Sequence, residues 1–221
     1  MRNLREIIMK KLFLASSVDV VAPDIAKHLP AKGLKLVFIN TPAEGEDGDK
    51  QWLENDRAAL VKEGFVVSDY TVTGKTSTEI KDHLAEFDVI FISGGNTFYA
   101  LEKIQQSGCA EIIHDYVEQG KIYIGSSAGS VLAGPDIYPS YYVDAIEKAP
   151  NLKGYRGLDL IDVVVLPHWG NDYFKELYLN KRLEHVYTPD HKIILLTDNQ
   201  YLSVENDKYE IIDVSKHEKT I

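Results

Sequence analysis

The residues that could do covalent chemistry in this chain begin with Gly125-Ser126-Ser127-Ala128-Gly129. An apolar run over 121–125 leads into this small-residue turn and Val131-Leu132-Ala133 continues beyond it, the pattern of a strand, a sharp corner and a helix start. Gly-x-Ser-x-Gly at such a corner is a nucleophile elbow, in which the flanking glycines let the backbone turn tightly and present the middle hydroxyl, here Ser127. Serine is also a preferred helix cap, and glycines four apart arise by chance in a chain of this length. The motif therefore takes its meaning from its partners.

A serine hydroxyl needs a base within hydrogen-bond reach and a third group that orients the base. His168 directly follows the apolar run Val163-Val164-Val165-Leu166-Pro167, which as a strand would deliver it to the same edge as Ser127. Asp198, in Leu195-Leu196-Thr197-Asp198-Asn199, stands at another strand end and is the preferred third member, with Asp136 and Asp162 as competing carboxylates. The other histidines, His28, His83, His114, His185, His191 and His217, lie in helical or terminal polar stretches and read as solvated.

Acyl transfer also requires donors aimed at the developing oxyanion. The elbow itself positions the backbone N–H of Ala128, and Gly94-Gly95-Asn96 after the run 89–92 could present a second, most plausibly that of Gly95. A Gly-x-Gly-x-x-Gly dinucleotide loop is absent, and so is any cluster of metal ligands, so neither an organic cofactor nor a metal is expected. The order Ser, His, Asp differs from the Ser, acid, His order of α/β-hydrolases, so the elbow belongs to another fold.

The elements that must position these residues follow a β-α-β rhythm. Compact apolar runs at 11–17 and 34–40 flank residues 20–29, where Val21, Ile25 and Leu29 recur at helical spacing, which implies a parallel sheet. Beyond a polar loop at 41–50, helices are expected over 52–63, 77–84, 97–105, 110–119 and 173–186. Strands are expected over 65–70, 89–92, 121–125, 163–166, 193–196, 201–204 and 209–214. The periodicity fails over 135–160, and an irregular connection of that length inside a domain is usually functional. Polar residues at the ends of parallel strands are where open α/β sheets build their sites.

With 221 residues and 44% hydrophobic content, the chain suits a single α/β domain over residues 1–221. The 34 acidic against 24 basic residues, a formal charge of -10, would repel a phosphate backbone, so nucleic acid is not an expected partner. Cys109 is the sole cysteine, which excludes an internal disulfide and points to a reducing cytoplasm. The apolar stretch near the N-terminus is too short for a secretory signal, and none is long enough to span a membrane.

Taken together, Gly94-Gly95-Asn96-Thr97-Phe98, the elbow, and Pro167-His168 followed by Asn171 resemble the ordered blocks of the peptidase E (aspartyl dipeptidase) family of serine peptidases. The resemblance implies a doubly wound, mostly parallel sheet with helices on both faces, like that of class I glutamine amidotransferases. It implies Ser127 as nucleophile, His168 as base, Gly95 and Ala128 as oxyanion donors, and a carboxylate near the C-terminal strands, where Asp198 fits. The implied substrate is a small peptide and the expected assembly a monomer or homodimer. Cleavage after an N-terminal Asp would call for a cation, for which Arg156 and Arg182 are candidates, with Asn96 as a further substrate contact. Two other readings keep the architecture: an isopeptide or β-aspartyl hydrolase like the cyanophycinases, and a small-ligand-binding relative without turnover.

Overall fold

The computed structural model describes residues 9–141, 143–179 and 190–215. The chain opens with β1 (Lys11–Ala15), α1 (Val18–Ile25), β2 (Lys35–Ile39), α2 (Thr41–Glu44), α3 (Gln51–Lys62) and β3 (Val66–Tyr70). It continues through α4 (Ser77–Ala85), β4 (Val89–Ile92), α5 (Thr97–Ser107), α6 (Cys109–Glu118), β5 (Ile122–Ser126) and α7 (Ala128–Leu132). The last described elements are β6 (Val163–Leu166), α8 (Asp172–Leu177), β7 (Lys192–Leu195), β8 (Gln200–Glu205) and β9 (Lys208–Asp213).

Seven of the described strands form one sheet in the order β3-β2-β4-β5-β1-β8-β9. The first five in that order pair in parallel, and β8 and β9 add an antiparallel edge. Side chains alternate across a strand, so each run feeds two cores. Leu12, Leu14, Ile90, Ile92 and Tyr123 pack with α4 to α7 on one face, whereas Phe13, Ala15, Phe91 and Ile124 pack with α1 and α3 on the other. Burial of each Leu, Ile or Phe contributes about 1.5–3 kcal/mol. The architecture is the α/β, mostly parallel sheet expected from the sequence.

Local signals account for most boundaries. Thr76 and Glu79 form a reciprocal capping box that starts α4, and Asn96 caps α5 by accepting the Tyr99 N–H. The polar stretch expected to be loop at 41–50 instead opens with α2, because Pro42 sits in its first turn, where a missing N–H costs nothing. His83 is not solvated as expected: its ring stacks on Tyr70 with centroids 4.0 Å apart. The expected helix over 173–186 is described only as α8, and its continuation past 179 lies outside the described residues.

Strands β6 and β7 do not enter the main sheet. They pair with each other in parallel, Leu166 opposite Leu195, and pack Val163 and Val165 into the core beside α7. This small ladder brings two chain segments, those carrying His168 and Asp198, past the C-terminal ends of the central strands. No described helix is long and apolar enough to cross a membrane.

Candidate active site

The elbow is built by backbone proximity. Ser127 follows β5 with φ 49° and ψ -110°, a conformation that a non-glycine residue adopts only when its surroundings impose it. Its N–H extends the ladder by donating to Ala15 O at 3.0 Å, and Gly129 N–H reaches Ser93 O at 3.1 Å. A Cβ on Gly125 would lie 2.7 Å from the backbone of Gly129, and one on Gly129 would collide with Ile92 O. The two glycines are thus needed for α7 to fold back against β4 and β5, and the strained serine between them is held by this packing.

His168 arrives from β6. Trp169 N–H donates to Leu196 O at 2.9 Å, and the Tyr178 hydroxyl donates to Pro167 O, so the residues on either side of the imidazole are tied down. Phe174 of α8 stacks on the ring at 4.6 Å with an interplanar angle of 16°. His168 Nε2 lies 2.8 Å from Ser127 Oγ, and Nδ1 lies 2.6 Å from Asp198 Oδ1. The three residues come from three strand ends, and their side chains form one hydrogen-bonded line.

Asp198 is held as a carboxylate. Besides His168, its oxygens accept hydrogen bonds from Ser16 Oγ at 2.8 Å and Asn171 Nδ2 at 3.3 Å. The hydrogen bond from His168 is the strongest influence; it outweighs burial and, with Ser16 and Asn171, pulls the carboxyl down to about 2. An ionised Asp198 accepts from Nδ1–H, which leaves Nε2 with a lone pair turned to the Ser127 hydroxyl.

Ser16 is the residue that sequence reasoning missed. It follows β1, accepts the His168 backbone N–H at 2.7 Å and donates to Asp198, so it fixes both ends of the imidazole's support. The signal was available: Ser16 stands at the end of a predicted parallel strand, the same criterion that selects Ser127, His168 and Asp198.

The proposed oxyanion donors also meet here. Gly95 has φ 125°, and a Cβ there would sit 2.6 Å from Ala43 N, so only glycine lets this loop pass against α2. Among the described residues, neither the Gly95 N–H nor the Ala128 N–H has a hydrogen-bond partner, and both residues line a cleft of about 370 Å³ that contains Ser127 and His168.

Other expected contacts are not brought to this cleft. Asn96 is 1% exposed and spends its side chain on the α5 cap and on Ala145 O at 3.1 Å, so it is a structural residue. Arg156 is outside the cleft; its side chain is 81% exposed and its guanidinium pairs with Asp159 at 2.8 Å. Arg182 lies outside the described residues. Of the competing acids, Asp162 pairs with Lys192 and Tyr209, and Asp136 with the Tyr138 N–H and His191, all away from His168. Among the described residues, no three His, Cys, Asp or Glu side chains are grouped to hold a metal ion.

The carboxylates that do line the cleft are Glu46, Asp47, Asp56 and Asp144, and no described Lys or Arg lines it. Asp56, on α3, is buried under Ser126 and next to Asp19; desolvation pushes its carboxyl up to about 7. Glu46 is raised by burial and then by the neighbouring Asp144.

Comparison with known proteins places the chain among peptidases. An uncharacterized peptidase of Pasteurella multocida is 36% identical over 171 residues, covering 76% of this chain and 81% of that protein. Peptidase E of Salmonella typhi is 30% identical over 124 residues, covering 54% of this chain and 52% of that protein. A crystal structure of a Listeria monocytogenes protein named as a candidate Peptidase E superposes with a TM-score of 0.85 at 30% identity, covering 93% of this chain and 98% of that one. The model of peptidase family S51 matches residues 12–212. With that match running from β1 into β9, the chain belongs to peptidase family S51 and is a serine peptidase, a hydrolase of peptide bonds.

Proposed function

We propose that the chain hydrolyses short peptides through a Ser127, His168, Asp198 triad and a covalent acyl-enzyme. The observation that carries this reading is the unbroken hydrogen-bonded line from Ser127 Oγ through the imidazole to Asp198 Oδ1, with links of 2.8 and 2.6 Å. Ser127 Oγ attacks the scissile carbonyl carbon while its proton passes to His168 Nε2. The oxyanion is received by the N–H groups of Ala128 and Gly95. His168 then returns the proton to the leaving amine as the C–N bond breaks. A water attacks the ester, His168 takes its proton, and Ser127 regains a proton as the acid departs.

The size of the cleft supports a small substrate. A volume of about 370 Å³ is at the lower end of the range for small-molecule sites and suits a dipeptide better than a folded chain. Selectivity for an N-terminal Asp is not part of the reading, because the described lining offers that carboxylate no Lys or Arg.

The test uses paired variants and a dipeptide panel. Ser127→Ala should lower kcat by about 10⁴-fold or more with the fold intact by circular dichroism. Ser126→Ala should keep turnover within about tenfold, because that hydroxyl is committed to the Val18 N–H and to Asp56. Equal activity of the Ser127→Ala variant and the parent would overturn the assignment.

A further inference from the structure

The cleft has a chemical bias that its hydrolytic machinery does not need. Three of its four lining carboxylates are already engaged. Asp47 pairs with Lys148 at 2.7 Å, Asp56 accepts the Asp19 N–H at 3.3 Å, and Asp144 accepts the Thr97 N–H at 2.9 Å. Glu46, half-buried just beyond α2, has no hydrogen-bonded or ion-paired side-chain partner among the described residues. A half-buried carboxylate beside a second acid is a site for a cation.

Two further observations point to a ligand there. Ser140 lines the same cleft, is 1% exposed, and its Oγ has no hydrogen-bond partner among the described residues. A buried hydroxyl without a partner is costly, and a donor on a bound molecule would satisfy it. The mouth of the cleft carries Trp52 and Tyr173, the latter 74% exposed, with Phe174 beside it. Aromatic faces attract cations through the ring quadrupole.

Resting on the peptidase reading above, we propose that the cleft selects short peptides bearing a cationic side chain next to the scissile bond, and that Glu46 is the group that pairs with it. A lysine or arginine side chain offers N–H donors to Glu46 and Ser140, and its stem can lie against Trp52 and Tyr173. An aspartyl side chain in the same place would face carboxylates. Lys148, held by Asp47, and Lys50 act on Glu46 from outside the cleft lining, so the cationic side chain of the substrate is the one that enters the cleft itself.

The experiment compares Lys-Leu, Leu-Lys, Leu-Leu and Asp-Leu in two ways. Turnover by the parent protein should give one of the lysyl peptides a kcat/KM about tenfold above Leu-Leu, with Asp-Leu below Leu-Leu. Calorimetric binding to the Ser127→Ala variant should give the same order without relying on catalysis. In Glu46→Gln, the ratio of the preferred lysyl peptide to Leu-Leu should fall towards one. Preference for Asp-Leu, or a lysyl-to-leucyl ratio unchanged by Glu46→Gln, would overturn the proposal. If the binding order holds in the absence of any turnover by the parent, the hydrolytic reading fails and the cation site stands.

Discussion

Asp198 Oδ1 accepts two hydrogen bonds, from His168 Nδ1 and Ser16 Oγ, and this double acceptance sets the tautomer on which the proposed chemistry depends. Asp198→Asn would present an amide where a carboxylate now receives the Nδ1 proton. It should lower kcat by about 10⁴-fold while leaving the geometry intact. The same residue leaves a thermodynamic mark. Its carboxyl is held down at about 2 in the folded chain against an ordinary value of 3.8, so ionised Asp198 favours the folded state above the unfolded value. That contribution is lost as pH falls through the folded value. The difference in urea midpoint between the parent and Asp198→Asn should therefore be largest above about pH 4 and shrink towards pH 2. A difference that grows on acidification would contradict the assignment of Asp198 as a paired carboxylate.

At the scale of elements, the site depends on how closely α7 approaches β4 and β5. Gly129→Ala drives a Cβ into Ile92 O, a backbone atom that cannot swing away. It should destabilise by about 2–3 kcal/mol or prevent accumulation of folded protein, as measured by chemical denaturation. An unchanged midpoint would mean that the elbow is looser than its packing requires. The central strands are legible in the sequence because they are buried on both faces and so read as continuous apolar runs, such as Leu12-Phe13-Leu14-Ala15 and Val89-Ile90-Phe91-Ile92. The pairing of β6 with β7 alone is not legible, because a short apolar run such as Val163 to Leu166 names a strand but not its neighbour. Helix α2 escaped because its Thr-Pro start opens a stretch otherwise rich in Glu, Asp and Gly, which reads as loop. The acidic wall was equally hidden: Glu46 and Asp144 lie 98 residues apart and meet only because α2 and the irregular connection both border Gly95 and α5.

For the molecule as a whole, the formal charge of -10 and the acidic cleft make stability a function of carboxylate protonation. Asp56 titrates at about 7 in the folded chain against 3.8 unrestrained. Its contribution is complete below the unfolded value and is lost as pH rises through the folded one. The parent should therefore lose stability between about pH 4 and pH 7, and Asp56→Asn should lose less over the same interval by urea denaturation. Identical pH profiles would show that this carboxyl titrates normally. The molecule as a whole also explains why three residues spread over 127–198 lie in one line: β5, β6 and β7 all end at the same edge, beside β1 and its Ser16. The most direct test of that arrangement is mass-spectrometric mapping of the adduct formed by a fluorophosphonate probe on the folded protein. A single adduct is expected on Ser127, persisting in Ser126→Ala and disappearing in His168→Ala; a folded protein that stays unlabelled, or is labelled on another serine, would contradict the assignment of Ser127 as nucleophile.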